Sequence, residues 1–151
     1  MVSKKSENGT PTNEVVVPAP DWSTVVTWDD AVALAPAIYS SDVAFSDGFT
    51  FIEGANKEQL LTVGEMMILD WRVNTDQQTL RDFVTVWAIR REGNHKFKFN
   101  DGSTGIFKQL LEYQERVLGI VPIRCNGVRV SEYVATLPDG SKTNAKTYYL
   151  F

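Results

Sequence analysis

Residues 66–100 read MMILDWRVNTDQQTLRDFVTVWAIRREGNHKFKFN, and their periodicity decides the fold. Side chains alternate along a pleated chain, so Met66 to Asn74 predicts a strand with two distinct faces. Met67, Leu69, Trp71 and Val73 fall on one, and Met66, Ile68, Asp70 and Arg72 on the other. Thr75-Asp76-Gln77-Gln78 is a polar turn. Phe83 to Arg91 predicts a second strand, rich in the β-branched and aromatic types that suit a sheet. Glu92-Gly93-Asn94 makes a tight connection, and Lys96 to Asn100 predicts a third strand. There the alternation is strict, with Phe97 and Phe99 on one side and Lys96, Lys98 and Asn100 on the other.

Downstream, Asn100-Asp101-Gly102 is a turn, and Ser103 or Thr104 can cap a following helix. Ile106, Leu110, Tyr113 and Val117 recur at helical spacing, Phe107 and Leu111 widen the stripe, and Gly119 is placed as a stop. Gly127 to Thr136 and Lys146 to Phe151 predict two further strands, joined at Pro138-Asp139-Gly140. Three antiparallel strands, a helix and two strands is the element order of the OB-fold, a five-stranded barrel with its helix between strands three and four. The expected fold is therefore mainly β within the α+β class: an OB-like barrel over residues 65–151, preceded by a short helical N-terminal segment.

Upstream, residues 1–20 are polar and Pro-rich and read as a flexible arm. Residues 21–64 read as a lead-in that packs on the barrel. Within it, Thr27 with Asp30 three residues on resembles a capping box, and Pro36 should end or kink the helix it opens. Phe49 to Ile52 reads as a short strand and Glu53 to Gln59 as a polar loop.

The chain of 151 residues suits one main domain, and its formal charge of −4 hides an asymmetry. Residues 1–65 carry three basic and ten acidic side chains; residues 66–151 carry twelve basic and nine acidic. The acidic part would suit a basic protein partner, whereas the barrel is weakly basic. No stretch approaches the ~20 apolar residues of a membrane span. The N-terminus has no apolar core of a secretory signal, so the expectation is a cytoplasmic protein with no membrane partner.

Few chemistries fit the residues. One Cys and one His exclude an internal disulfide framework, a C-x-x-C motif and any site with two imidazoles. His95 sits in the hairpin and reads as an exposed turn side chain; Cys125 reads as buried, although Arg124 beside it could lower its pKa. Asp101-Gly102-Ser103-Thr104-Gly105 could hold an anion at a helix start, but a plain strand-to-helix turn explains it better. Carboxylate pairs such as Asp29/Asp30 or Asp70/Asp76 carry no sign of acid–base work. No enzyme, cofactor or metal signature survives.

A surface argument remains. If Val84, Val86 and Ala88 fill the interior, then Phe83, Thr85, Trp87 and Ile89 face outward beside Arg72, Lys96, Lys98 and Asn100, with Arg90 extending the basic surface. Cations for phosphates interleaved with flat rings for bases is what single-stranded nucleic acid needs. The bland alternative is that Phe83 and Trp87 point inward.

The segments Met67 to Asn74, Asp82 to Val86, Phe99 to Ile106 (FNDGSTGI) and Lys146 to Leu150 together resemble a group of small proteins from actinobacterial phages and their hosts, some of them labelled single-stranded-DNA-binding. The resemblance spans about residues 27–151, and FNDGSTGI is its most specific part. It implies a non-enzymatic, OB-like binder of single-stranded DNA serving phage replication or recombination in the host cytoplasm. Single-strand binders often use several OB units, so self-assembly into a homo-oligomer is open. The rival expectation is a protein-binding adaptor or host-directed inhibitor on the same barrel.

Overall fold

The computed structural model describes residues 25–34, 36–38, 48–102, 105–117 and 119–151; the arm over residues 1–20 and the cap candidates Ser103 and Thr104 lie outside them. In chain order the elements are helix α1 (Trp28–Val32), strands β1 (Ala37–Ile38) and β2 (Thr50–Ile52), and a 3₁₀ segment (Gly54–Thr62). Next come β3 (Met66–Thr75), β4 (Asp82–Arg90) and β5 (Lys96–Asp101), then helix α2 (Ile106–Val117). The chain ends in β6 (Ile120–Val121), β7 (Ile123–Cys125), β8 (Val128–Thr136) and β9 (Lys142–Leu150). Among these, no helix is long and apolar enough to cross a membrane.

The start of α1 obeys its sequence. Thr27 Oγ1 accepts from Asp30 N–H at 3.2 Å, and Asp30 Oδ2 accepts from the Thr27 and Val26 N–H groups, each at 2.9 Å. These backbone donors favour the ionised form and hold the Asp30 carboxyl below its usual range. The helix ends at Val32, four residues before Pro36. It buries Trp28 and Ala31, and Trp28 N–H donates to Asn94 Oδ1 at 2.6 Å in the β4–β5 turn. The segment predicted as a polar loop over residues 53–59 is instead largely the 3₁₀ segment.

The three-strand meander β3-β4-β5 forms as the sequence predicts, but no barrel closes around it. The main sheet has the order β2-β5-β4-β3-β7, parallel only between β2 and β5. Strands β8 and β9 pair with each other as a separate hairpin, and β1 bridges β6. The physical reason lies at the sheet edges. Closure would need the two late strands to take the free sides of β3 and β5, and those sides are held by β7 and β2. The fold is mainly β with α+β content and an open sheet.

Strand β3 also departs from strict alternation. Its register with β4 runs Ile68↔Ala88 and then Asp70↔Trp87, so Leu69 is an extra residue in a bulge. The faces switch there. Met66 and Ile68 share the core side with Trp71 and Val73, whereas Met67 shares the other with Asp70, Arg72 and Asn74. All six residues from Met66 to Trp71 are consequently buried.

The core lies between this sheet side and α2. Trp71, Val86, Phe97 and Phe99 are fully buried, as is Ile106 at the helix start. Each phenylalanine contributes about 1.5–3 kcal/mol by leaving water. Phe107 and Leu110 complete the buried stripe of α2, and Tyr113 packs edge-on to Trp71 with ring centroids 6.2 Å apart. Gly119, at φ 66°, takes the left-handed conformation expected just beyond a helix end. Gly105 is constrained more tightly. At φ +64° it lies against the hairpin, where a Cβ would run into the Tyr148 carbonyl oxygen. Gly105→Ala should lower stability by about 3 kcal/mol or more, combining left-handed strain with a backbone clash. A urea unfolding midpoint equal to that of the native sequence would count against this.

Candidate nucleic-acid interface

The alternation of β4 and β5 sets the composition of the sheet face opposite the core. Cross-strand pairs Thr85↔Asn100, Trp87↔Lys98 and Ile89↔Lys96 continue onto β3 as Asn74↔Phe83, Arg72↔Thr85 and Asp70↔Trp87. On β2, Phe51 lies beside Lys98. This face therefore gathers Arg72, Phe83, Trp87, Lys96, Lys98 and Asn100, all singled out in the sequence. Val84, Val86 and Ala88 are buried on the opposite side. Arg90 does not join them: alternation puts it on the other face, and its Nε donates to the Glu92 carbonyl at 3.0 Å.

The face has a covered end and an open end. At the covered end Met67 and Ile89 are buried, and the Trp28 ring has Arg124 at 5.7 Å and Arg91 at 5.9 Å. Lys96 is committed there too, with Nζ donating to the Val25 carbonyl at 2.8 Å and lying 5.0 Å from the Phe49 ring centroid. Trp87 belongs to this covered part, being only 2% exposed. Its orientation follows the outward register, but the ring is not offered to a base. The Arg72 guanidinium lies over it, 5.7 Å from the centroid. Burial of a large aromatic outweighed what alternation alone suggests.

At the open end Asn74 Nδ2 donates to Thr85 Oγ1 at 2.8 Å, and the Thr85 hydroxyl donates to Asn100 Oδ1 at 2.7 Å. This polar ladder crosses three strands and holds the amide side chains in fixed positions. Lys98 is half-buried and has no ion-pair partner among the described residues. Arg72 Nε is buried and has no hydrogen-bond partner among them. An unpaired buried donor costs about 1–3 kcal/mol. The one carboxylate of β3, β4 and β5 on this face, Asp70, is fully buried and accepts from the Trp71 N–H at 2.8 Å. A groove of about 370 Å³ continues past Phe83 and Asn100 to Arg81, Asp76 and Asp82.

Phe51 was missed by sequence reasoning and is 44% exposed. The strand signal at Phe49 to Ile52 was legible, but its parallel partner was not, since that pairing spans distant parts of the chain. Alternation places Thr85 on the outward face, but its hydrogen bonds to Asn74 and Asn100 follow from a cross-strand register that alternation does not fix.

The remaining chemical candidates resolve differently. At the start of α2 the chain supplies its own anion: Asp101 Oδ2 accepts from Phe107 N–H at 3.3 Å, and Lys57 pairs with the other carboxylate oxygen. Burial pushes the Asp101 carboxyl up, against the pull of Lys57. Asp70 and Asp76 do not converge, because Asp76 caps its own turn by accepting from Gln78 and Thr79 N–H groups. His95 is exposed. No group of three or more His, Cys, Asp or Glu side chains suited to a metal occurs among the described residues. No protein-family model, curated protein or solved structure matches the chain.

Two outcomes follow from the charges around this face. Arg91 and Arg124 hold the Glu65 carboxyl below the usual carboxylate range, with Arg91 Nη1 at 2.9 Å and Arg124 Nε at 2.6 Å. A carboxyl lowered in the fold adds stability above its unfolded pKa and loses it as pH falls through the folded value. Glu65→Gln should thus shift the urea midpoint down at neutral pH, and the gap should narrow as pH falls below the unfolded carboxyl value of about 4.3, closing once the folded carboxyl is protonated too. Arg124 is occupied by Glu65, and burial pushes the Cys125 thiol up to about 11. Native protein at about pH 8 should leave Cys125 unlabelled by a thiol reagent, while unfolding in urea should expose it; rapid native labelling is the contrary result.

Proposed function

We propose that the chain is a non-enzymatic binder of single-stranded DNA that uses the open end of this sheet face. The observation that carries the reading is one sheet face that holds Arg72 on β3 and Lys98 on β5, with Phe51 next to Lys98, Phe83 on the strand between the two cations, and the strand carboxylate buried. Arg72 and Lys98 neutralise phosphates, Asn100 and Asn74 offer amides to base edges, and Phe51 with Phe83 supplies rings for stacking. Trp87 acts from beneath, as the platform that holds the Arg72 guanidinium.

The OB-like barrel does not form, and what supports the reading is the three-strand meander followed by a helix, together with the chemistry of its outer face. The resemblance to actinobacterial-phage proteins favours a role in phage DNA replication or recombination. That setting rests on resemblance and on the chemistry of the face together.

Fluorescence anisotropy with labelled single- and double-stranded oligonucleotides tests this. Binding should favour the single strand and weaken roughly ten-fold as salt rises from about 50 to about 200 mM, the slope expected for two or three phosphate contacts. Lys98→Ala should flatten the logarithmic salt slope by about 0.7. Phe51→Ala should cost ~1–3 kcal/mol of affinity with the slope unchanged. No retention of single strand at low salt sinks the proposal.

A further inference from the structure

The hairpin of β8 and β9 runs from Val128↔Leu150 to Thr136↔Lys142, and among the described residues neither strand pairs with any other. Its base is anchored: Val128 and Tyr148 are buried, and Lys146 Nζ bonds Glu58 Oε1 at 2.6 Å. Its outer half is not. Tyr133 is 49% exposed, Val134 61% and Leu137 42%. A two-stranded ladder is marginal in water unless a third strand or a covering layer supports it.

The two outer edges of the hairpin differ. Leu137 N–H donates to the Ser141 carbonyl at 2.7 Å, which sets the phase of the ladder. Antiparallel pairs alternate between bonded and non-bonded. Leu137, Ala135 and Tyr133 therefore turn their backbone groups toward β9, and Thr136, Val134 and Glu132 turn theirs toward the open edge. On β9 the outward positions are Lys142, Asn144 and Lys146. Lysines along an edge oppose the addition of another strand. The stretch Ser131 to Thr136 on β8 carries one charge, Glu132, ahead of the strand-forming run Tyr133-Val134-Ala135-Thr136.

We propose that the β8 edge pairs with the same edge of a second copy of this chain, antiparallel about a two-fold axis at Val134. The two arms then form one continuous four-stranded sheet. In this register Val134 opposes its own counterpart, Tyr133 opposes Ala135 and Glu132 opposes Thr136, so no like charges meet. Sliding the axis two residues back, to Glu132, would set that carboxylate against itself, which disfavours the slip. The contact is isologous, and a change at the axis acts twice. This inference is independent of the nucleic-acid reading.

Sedimentation velocity on the full chain over rising concentration is the first test, with the mass climbing from 16.9 kDa toward twice that value. Val134→Lys puts two ammonium groups at the axis and should keep the protein monomeric throughout. Val134→Cys should form a disulfide-linked dimer under mild oxidation, because opposed Cα atoms in a bonded pair sit about 5.5 Å apart. Thr136→Cys should not, since its two copies lie about 13 Å apart along the strands. The native Cys125 is buried and leaves the readout clean. A chain that stays monomeric, a Val134→Lys variant that still dimerises, or equal cross-linking at both positions would each overturn the proposal.

Discussion

One extra residue in β3 governs both sides of the sheet. Leu69 sits between the pairs Ile68↔Ala88 and Asp70↔Trp87, and the inserted residue turns the rest of the strand over. With unbroken alternation from Ile68, Asp70 and Arg72 would face the core opposite Val86 and Val84, and Trp71 would point away from it. The bulge instead sends Trp71 into contact with Tyr113 of α2 and lifts Arg72 over Trp87. Turning the Arg72 guanidinium into the core would cost several kcal/mol, and an exposed Trp71 would forfeit the largest fully buried side chain of the core. The core and the cationic face are thus two consequences of the same insertion.

Edge occupancy is the second constraint. Two three-residue strands, Thr50–Ile52 and Ile123–Cys125, close off the outer sides of the meander. Their presence keeps the sheet open and displaces the last two long strands into an independent hairpin. Asp101 links the parts, since its carboxylate meets the first turn of α2 and the lysine of the 3₁₀ segment. Close to it, Gly105 lets the helix start approach the Tyr148 backbone. The hairpin base is therefore pinned to the helix start, while its outer half carries an edge with no strand beside it among the described residues.

The charge asymmetry along the chain takes a more local form in three dimensions. Lys57, an isolated lysine of the acidic half, neutralises a buried aspartate, and Glu65 draws Arg91 and Arg124 together. Much of the basic surplus is thereby consumed in holding the fold. Lys96 is likewise tied to the Val25 carbonyl. Among the described residues, the cations of this sheet face with neither an ion pair nor a backbone partner are Arg72 and Lys98, fewer than the sequence alone suggests.

Local physics determined the three-strand meander, the capping box at Thr27 and Asp30, the amphipathic helix ending near Gly119, and the grouping of Phe83 and Trp87 with Lys96, Lys98 and Asn100. Each depends on neighbours within a few residues, through alternation, helical spacing or turn chemistry, and such patterns are written in a single chain. Tertiary structure alone decided the bulge at Leu69, the strand edges, the burial of Trp87, the commitment of Lys96 and the arrival of Phe51 beside Lys98. Those outcomes depend on which distant segment reaches a given edge or face first, and on the burial that follows. A one-dimensional pattern holds no register between segments more than forty residues apart, such as Thr50–Ile52 and Lys96–Asp101, so the face could be assigned from sequence but not how much of it lies open.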